Sequence, residues 1–191
     1  MTGDNANNLA PALPLYAERI WAKISQCIFA VGQKTSHRKS GLVVGGDWDQ
    51  QRKPISEIPK IHYCLRHWHD SLSWEDAGAF DHMLELIQQK SGAVDGLTNL
   101  KDIKVRYANL DRIYAQVKAD SRLQAVETIR GKTFRKSGGI FFHLDRKGKP
   151  LFGNAGHHRL AIALSLGISH IPAQLGLVHP DAKKVSCFAL R

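Results

Sequence analysis

The segment HHRLAIALSL, residues 157–166, limits what this chain can fold into more than any other stretch. It has the length of a helix and is apolar nearly all round, so it has to be buried. Gly167 follows it as the natural residue to end a helix. On one side PLFGN (150–154) reads as a short strand. On the other, HIPAQLGLVH (170–179) alternates, with Ile171, Ala173, Leu175 and Leu177 on one face. GIFFHLD (139–145) supplies a further strand, joined to PLFGN by the turn residues RKGK (146–149). A buried helix flanked by strands needs a sheet to lie on, and the expected class is α+β with a small mixed sheet.

Upstream the patterns are helical. LYAERIWAKISQCIFA (15–30) places Ile20, Ile24 and Ile28 on one stripe. SWEDAGAFDHMLELIQQKSG (73–92) has Ser73 as a candidate N-cap and a stripe of Phe80, Met83, Leu84 and Ile87. YANLDRIYAQVKAD (107–120) spaces Leu110, Ile113, Tyr114 and Val117 in the same way, and GLVVGGDWDQQRKP (41–54) reads as a short strand leaving into a loop. The expected organisation is a disordered lead-in at 1–14, a mainly helical region at 15–130 that packs on the core, the core at 131–182 and a tail at 183–191. No apolar run is long enough to span a membrane, and the N-terminus lacks a signal peptide's basic and apolar regions. Cys27, Cys64 and Cys187 are odd in number and widely scattered, which points to a reducing cytoplasm.

Charge is distributed unevenly. The net charge of +10 arises entirely after residue 100: the first hundred residues balance to −1 and the remainder to +11. The density peaks across RGKTFRKSGGIFFHLDRKGKP (130–150), where Arg130, Lys132, Arg135, Lys136, Arg146, Lys147 and Lys149 face a single acid, Asp145. Such a field suits polyphosphates, nucleotide or nucleic acid, although a solvated basic surface has the same composition.

The glycine turn that opens the buried helix carries Gly156, His157, His158 and Arg159. A helix start offers unpaired N–H groups and the positive end of the macrodipole. A glycine lets a phosphate approach that backbone closely. Arg159 adds a planar guanidinium suited to bidentate phosphate binding, and the two histidines can donate hydrogen bonds or move protons. Adjacent histidines on a helix diverge, so the group fits an anion better than a metal. The competing reading is a histidine packed in the core and Arg159 paired with a local carboxylate.

Residues 138–178 resemble the ParB/sulfiredoxin superfamily, in which a strand pair leads to a Gly-x-x-Arg box opening a helix, then Leu-Gly and an Ile-Pro strand. This chain has Gly156-His157-His158-Arg159, Leu166-Gly167-Ile168 and Ile171-Pro172 in that order. The resemblance implies a sheet of ParB/sulfiredoxin type and a phosphate of ATP or CTP on the box. The order GGDWD (45–49), SWED (73–76), RYANLDRIY (106–114) and GHHRLAIA (156–163) is also similar to uncharacterised ParB-like proteins. His157 stands where a sulfiredoxin carries its nucleophilic cysteine, which rules out sulfinic-acid reduction. Asn154 and Ala155 precede the box where relatives carry an Asp.

Three functions follow as alternatives: a nucleotide-binding protein associated with DNA, an enzyme of phosphoryl transfer or phosphodiester cleavage, or a basic nucleic-acid-binding module. The enzyme needs carboxylates to hold Mg2+ or take a proton. Asp47 and Asp49 are its candidates, with His157 as proton shuttle and Asp145 nearest in sequence. Arg130, Lys132, Arg135, Lys136, Arg146 and Lys147 are the candidate nucleic-acid contacts. HYCLRHWH (62–69) holds metal-capable side chains but matches no structural zinc pattern and reads as a half-buried amphipathic segment.

Overall fold

A computed structural model describes residues 19–33, 35, 39–125 and 139–184. The expected disordered lead-in at 1–14, Arg130, Lys132, Arg135 and Lys136 lie outside the described residues, as does most of the 183–191 tail.

Among the described residues, six strands form one mixed sheet and four helices accompany it. In chain order these are β1 (Arg19–Lys23), β2 (Phe29–Val31), β3 (Arg52–Pro54), α1 (Pro59–His69), α2 (Ala79–Gln89), α3 (Leu100–Asp120), β4 (Phe141–Leu144), β5 (Pro150–Phe152), α4 (His157–Ser165) and β6 (His170–Val178). The sheet runs β1-β6-β4-β5-β2-β3. β6 pairs parallel to β4 and β2 parallel to β5, while the β1–β6, β4–β5 and β2–β3 pairs are antiparallel. The α+β class with a mixed sheet is therefore as expected from the pattern.

Several boundaries differ. The described part of 15–30 is not a helix: it forms β1, a 3-10 turn at Ile24–Gln26, and β2. Isoleucines four apart satisfy a period of two as well as one of 3.6. Ile20 and Ala22 are buried while Arg19, Trp21 and Lys23 are exposed, so pairing with β6 decides for the strand. The sheet draws its strands from both sides of residue 130. Half of the strands come from 19–54, and the helices of 59–120 are inserted between the two parts of one sheet.

One sheet face carries the core. Ile20, Ala22, Phe142, Phe152, Ile171 and Ala173 meet the consecutive buried run Leu160-Ala161-Ile162-Ala163 of α4, which confirms that this helix is apolar all round. α1 packs along α4 through Ile61 and Cys64, and α3 adds Ile103, Tyr107 and Leu110 at three- and four-residue spacing. The side chain of Asn99 caps α3 by accepting from the Asp102 amide at 3.0 Å. Ser73 does accept from the Asp76 amide, but it caps a turn, and α2 begins only at Ala79.

The other sheet face holds a histidine. His143 of β4 is fully buried, and its ring lies where the β-carbon of any larger residue at Gly153 or Gly176 would fall, 2.7 and 2.3 Å from ring atoms. The β4–β6 register slips by one residue between Phe142 and Leu144. At that bulge the Leu177 amide donates to His143 Nδ1 at 2.8 Å. Nε2 must then carry the proton, and it points at the Gln33 carbonyl at 3.3 Å. The slip also separates Leu177 from the face shared by Ile171, Ala173 and Leu175.

Candidate functional site

Gly156 is the N-cap of α4, with φ 79° and ψ 33°. A β-carbon there would fall 2.9 Å from the Ile140 Cα and 3.0 Å from the Gly139 carbonyl, at the entry to β4. The turn is thus pressed against the start of the neighbouring strand, and the amides of His157, His158 and Arg159 open the helix without partners inside it. Asn154, also left-handed at φ 58°, donates from Nδ2 to the Val31 carbonyl at the end of β2, at 2.6 Å. A carboxylate could not make that bond.

A cleft of about 790 Å3 lies over this turn. Four parts of the chain build it. α4 gives His157, His158, Arg159 and Ile162, and α3 gives Arg106, Asn109, Leu110 and Ile113. Lys60 comes from the first turn of α1, and Asp95 from the tight Val94–Leu97 turn, whose Asp95 and Gly96 are both left-handed. The Lys60 ammonium and the Asp95 carboxylate form an ion pair within hydrogen-bonding reach. Burial alone would raise the Asp95 carboxyl, but the Lys60 hydrogen bond and the nearby positive charges leave it below its ordinary value. With that pair neutralised, Arg106 leaves the cleft electropositive. Ile113, 41% exposed, and Leu110 make its apolar lip.

The box residues take distinct places. Arg159 does reach the cleft, and it donates one N–H to the Gln124 carbonyl just beyond α3. His157 stands edge-on to Phe152 at 5.1 Å, and His158 edge-on to Tyr107 at 5.7 Å. Burial, reinforced by the Lys60 charge, pushes His157 down to about 4 and His158 to about 3. Both rings are therefore neutral at pH 7, which suits hydrogen bonding to a ligand better than the proton shuttle expected of His157. Among the described residues, His158 Nε2 is buried with no hydrogen-bond partner. Tyr107 in turn bonds the Tyr63 hydroxyl behind it.

The expected carboxylates are elsewhere. Asp47 and Asp49 close on Arg146 in the β4–β5 turn: its Nη2 is 2.7 Å from an oxygen of each, and its Nε is 2.9 Å from Asp49 Oδ2. Asp49 is fully buried and Arg146 holds its carboxyl at about 2; the Asp47 side chain is 83% exposed. Asp145 accepts from the Lys147 and Lys149 amides and faces Arg52 at 3.5 Å. Residue 146 lies at the opposite end of the hairpin from Ile140 and Gly156, about 20 Å away at the rise of a strand. The structure thus does not bring Asp47, Asp49 or Asp145 to the glycine turn. It also removes Arg146 from the free cations of the 130–150 stretch, while Lys147 remains exposed.

The 62–69 cluster joins helices. His67 Nε2 and the indoles of Trp68 and Trp74 all donate to Asp111 of α3, at 3.0, 3.2 and 2.9 Å, and His67 stacks on Trp74 at 3.8 Å. Cys64 is buried. Among the described residues no three His, Cys, Asp or Glu side chains are grouped to hold a metal ion.

Sequence reasoning missed Lys60, Asp95, Arg106 and Asn109. The Asp95-Gly96 pair carried a turn signal, but nothing local tied it to residue 156. No family model, no curated protein and no solved structure matches this chain.

Proposed function

We propose that this chain is a nucleotide-binding protein of ParB/sulfiredoxin type, holding the phosphates of ATP or CTP over the turn that opens α4. One observation carries the reading: the tight Gly156 turn forms the floor of a cleft into which Arg106 of α3 and Lys60 of α1 converge on Arg159 of α4 itself. The donor set fits an anion. Helix amides, guanidinium groups and an unpartnered imidazole nitrogen all suit phosphate oxygens. It does not fit a divalent cation, because Asp95, the one carboxylate lining the cleft among the described residues, is held by Lys60. For that reason Mg2+ has no place in the proposal, and the phosphoryl-transfer alternative loses the carboxylates it needed. The basic stretch around 130–136 keeps DNA as the expected second partner.

Asp95 occupies the ground that a phosphate would take beside Lys60. Saturating ATP or CTP is expected to raise Tm by roughly 5–10 °C, the linkage effect of ligand at about a hundred times Kd on a chain of this size. Arg106→Gln should remove most of that shift. Asp95→Asn should tighten binding severalfold, because it frees the ammonium. Absence of any shift with either nucleotide at millimolar concentration, measured by thermal unfolding, overturns the reading.

A further inference from the structure

Strand β1 presents a row that the fold leaves open. Arg19, Trp21 and Lys23 alternate with the buried Ile20 and Ala22, so all three point away from α1 and α4. The register sets Trp21 opposite Pro172 and Lys23 opposite His170, which is itself exposed. Trp21 is 45% exposed. The chain's other indoles are committed inside the fold: Trp48 donates to the Val44 carbonyl, and Trp68 and Trp74 to Asp111. Trp21 has no such partner among the described residues, and neither Arg19 nor Lys23 has an ion-pair partner there. β1 is also the last strand of the sheet on its side.

We propose that this face binds single-stranded DNA, with Trp21 as the platform for one unstacked base and Arg19 and Lys23 taking the phosphates on either side. An aromatic face between cations on a strand is the arrangement by which single strands are held, since every base has a face to stack and every linkage a charge. The two cations stand about 13 Å apart along the strand, and their long side chains can close on a backbone that passes over the indole. Pro172 is the cross-strand neighbour of Trp21. A duplex keeps its bases stacked on each other and offers nothing to Trp21. The exposed polar groups here are cations and an imidazole, which meet phosphates rather than base edges, so the contact positions a strand without reading its sequence. This proposal is independent of the α4 cleft.

The test uses the full chain and short oligo(dT), followed by tryptophan emission. The oligonucleotide is expected to quench the exposed indole. Trp21→Ala should weaken binding roughly tenfold, the scale of one base–aromatic stack, while Trp21→Phe retains most of the affinity. Replacing Arg19 and Lys23 by Gln should lower the slope of log K against log salt by about 1.4, two charges on a single strand. Circular dichroism of each variant establishes that it folds. Unchanged affinity in Trp21→Ala, equal competition by duplex DNA or by oligo-glutamate, or tighter binding of an RNA strand would each overturn the proposal.

Discussion

Asp49 shows how a buried carboxylate can be committed to structure. Its oxygens receive the Arg146 backbone amide at 3.0 Å and two guanidinium nitrogens, and it is wholly removed from solvent. Through that contact the 45–50 loop is tied to the β4–β5 turn, with Trp48 laid edge-on against His143 at 5.6 Å. Removing one partner of a buried pair strands the other, and Arg146, partly exposed, recovers some of the loss by turning to water. Asp49→Ala should therefore cost about 3 kcal/mol, or roughly 6–12 °C of Tm for this size. Nucleotide binding in the surviving folded protein should stay as in the wild type, because the α4 turn lies at the far end of the hairpin. A loss of nucleotide binding in that variant, measured by titration under conditions where it is folded, would restore Asp49 to the site.

At the scale of elements, α4 is closed at each end by a left-handed glycine, and the two ends do different work. Gly167, at φ 62°, has no atom within 4 Å of where a β-carbon would stand. Gly167→Ala should cost only the conformational penalty, about 1 kcal/mol. At Gly156 the same penalty is joined by contact with backbone at the start of β4, which cannot swing aside as a side-chain tip could. Gly156→Ala should cost about 2–4 kcal/mol and displace the turn on which the phosphates are proposed to sit. Urea unfolding of the two variants checks the contrast; equal costs would refute it. These ends were legible in the sequence because glycine, an apolar run and a second glycine are local signals. β4, β5, α4 and β6 were legible for the same reason. β1 was not, since isoleucines four apart serve either period and only β6 arbitrates. The rest of the cleft was illegible because Lys60, Asp95 and Arg106 reach residue 156 through packing of α1 and α3 on α4, which no spacing along the chain encodes.

For the molecule as a whole, the sheet buries neutral histidine on both faces, and this sets its response to acid. Burial pushes His143 down to about 4, against an ordinary 6.5, and His157 and His158 on the helix side are depressed as well. A protonated His143 could not accept the Leu177 N–H, and among the described residues its ring meets no carboxylate that would reward the charge. Because the folded values lie below the unfolded one, these groups contribute their full stability above pH 6.5. That contribution is lost as pH falls from 6.5 toward 4, since only the unfolded chain binds the protons there. Carboxylates act in a lower window: Asp49, held at about 2, withdraws stability only below its ordinary 3.8. At pH 5 His143 alone should withdraw about 2 kcal/mol, roughly 4–8 °C of Tm, and the helix-side pair adds to it. His143→Asn keeps an acceptor near the Leu177 amide but nothing that titrates in this range. It should start less stable at pH 7 and lose less than the wild type on going to pH 5. Tm measured across pH 4.5–7.5 for both proteins decides the matter: parallel curves would mean that the acid response is set elsewhere than in the histidine between β5 and β6.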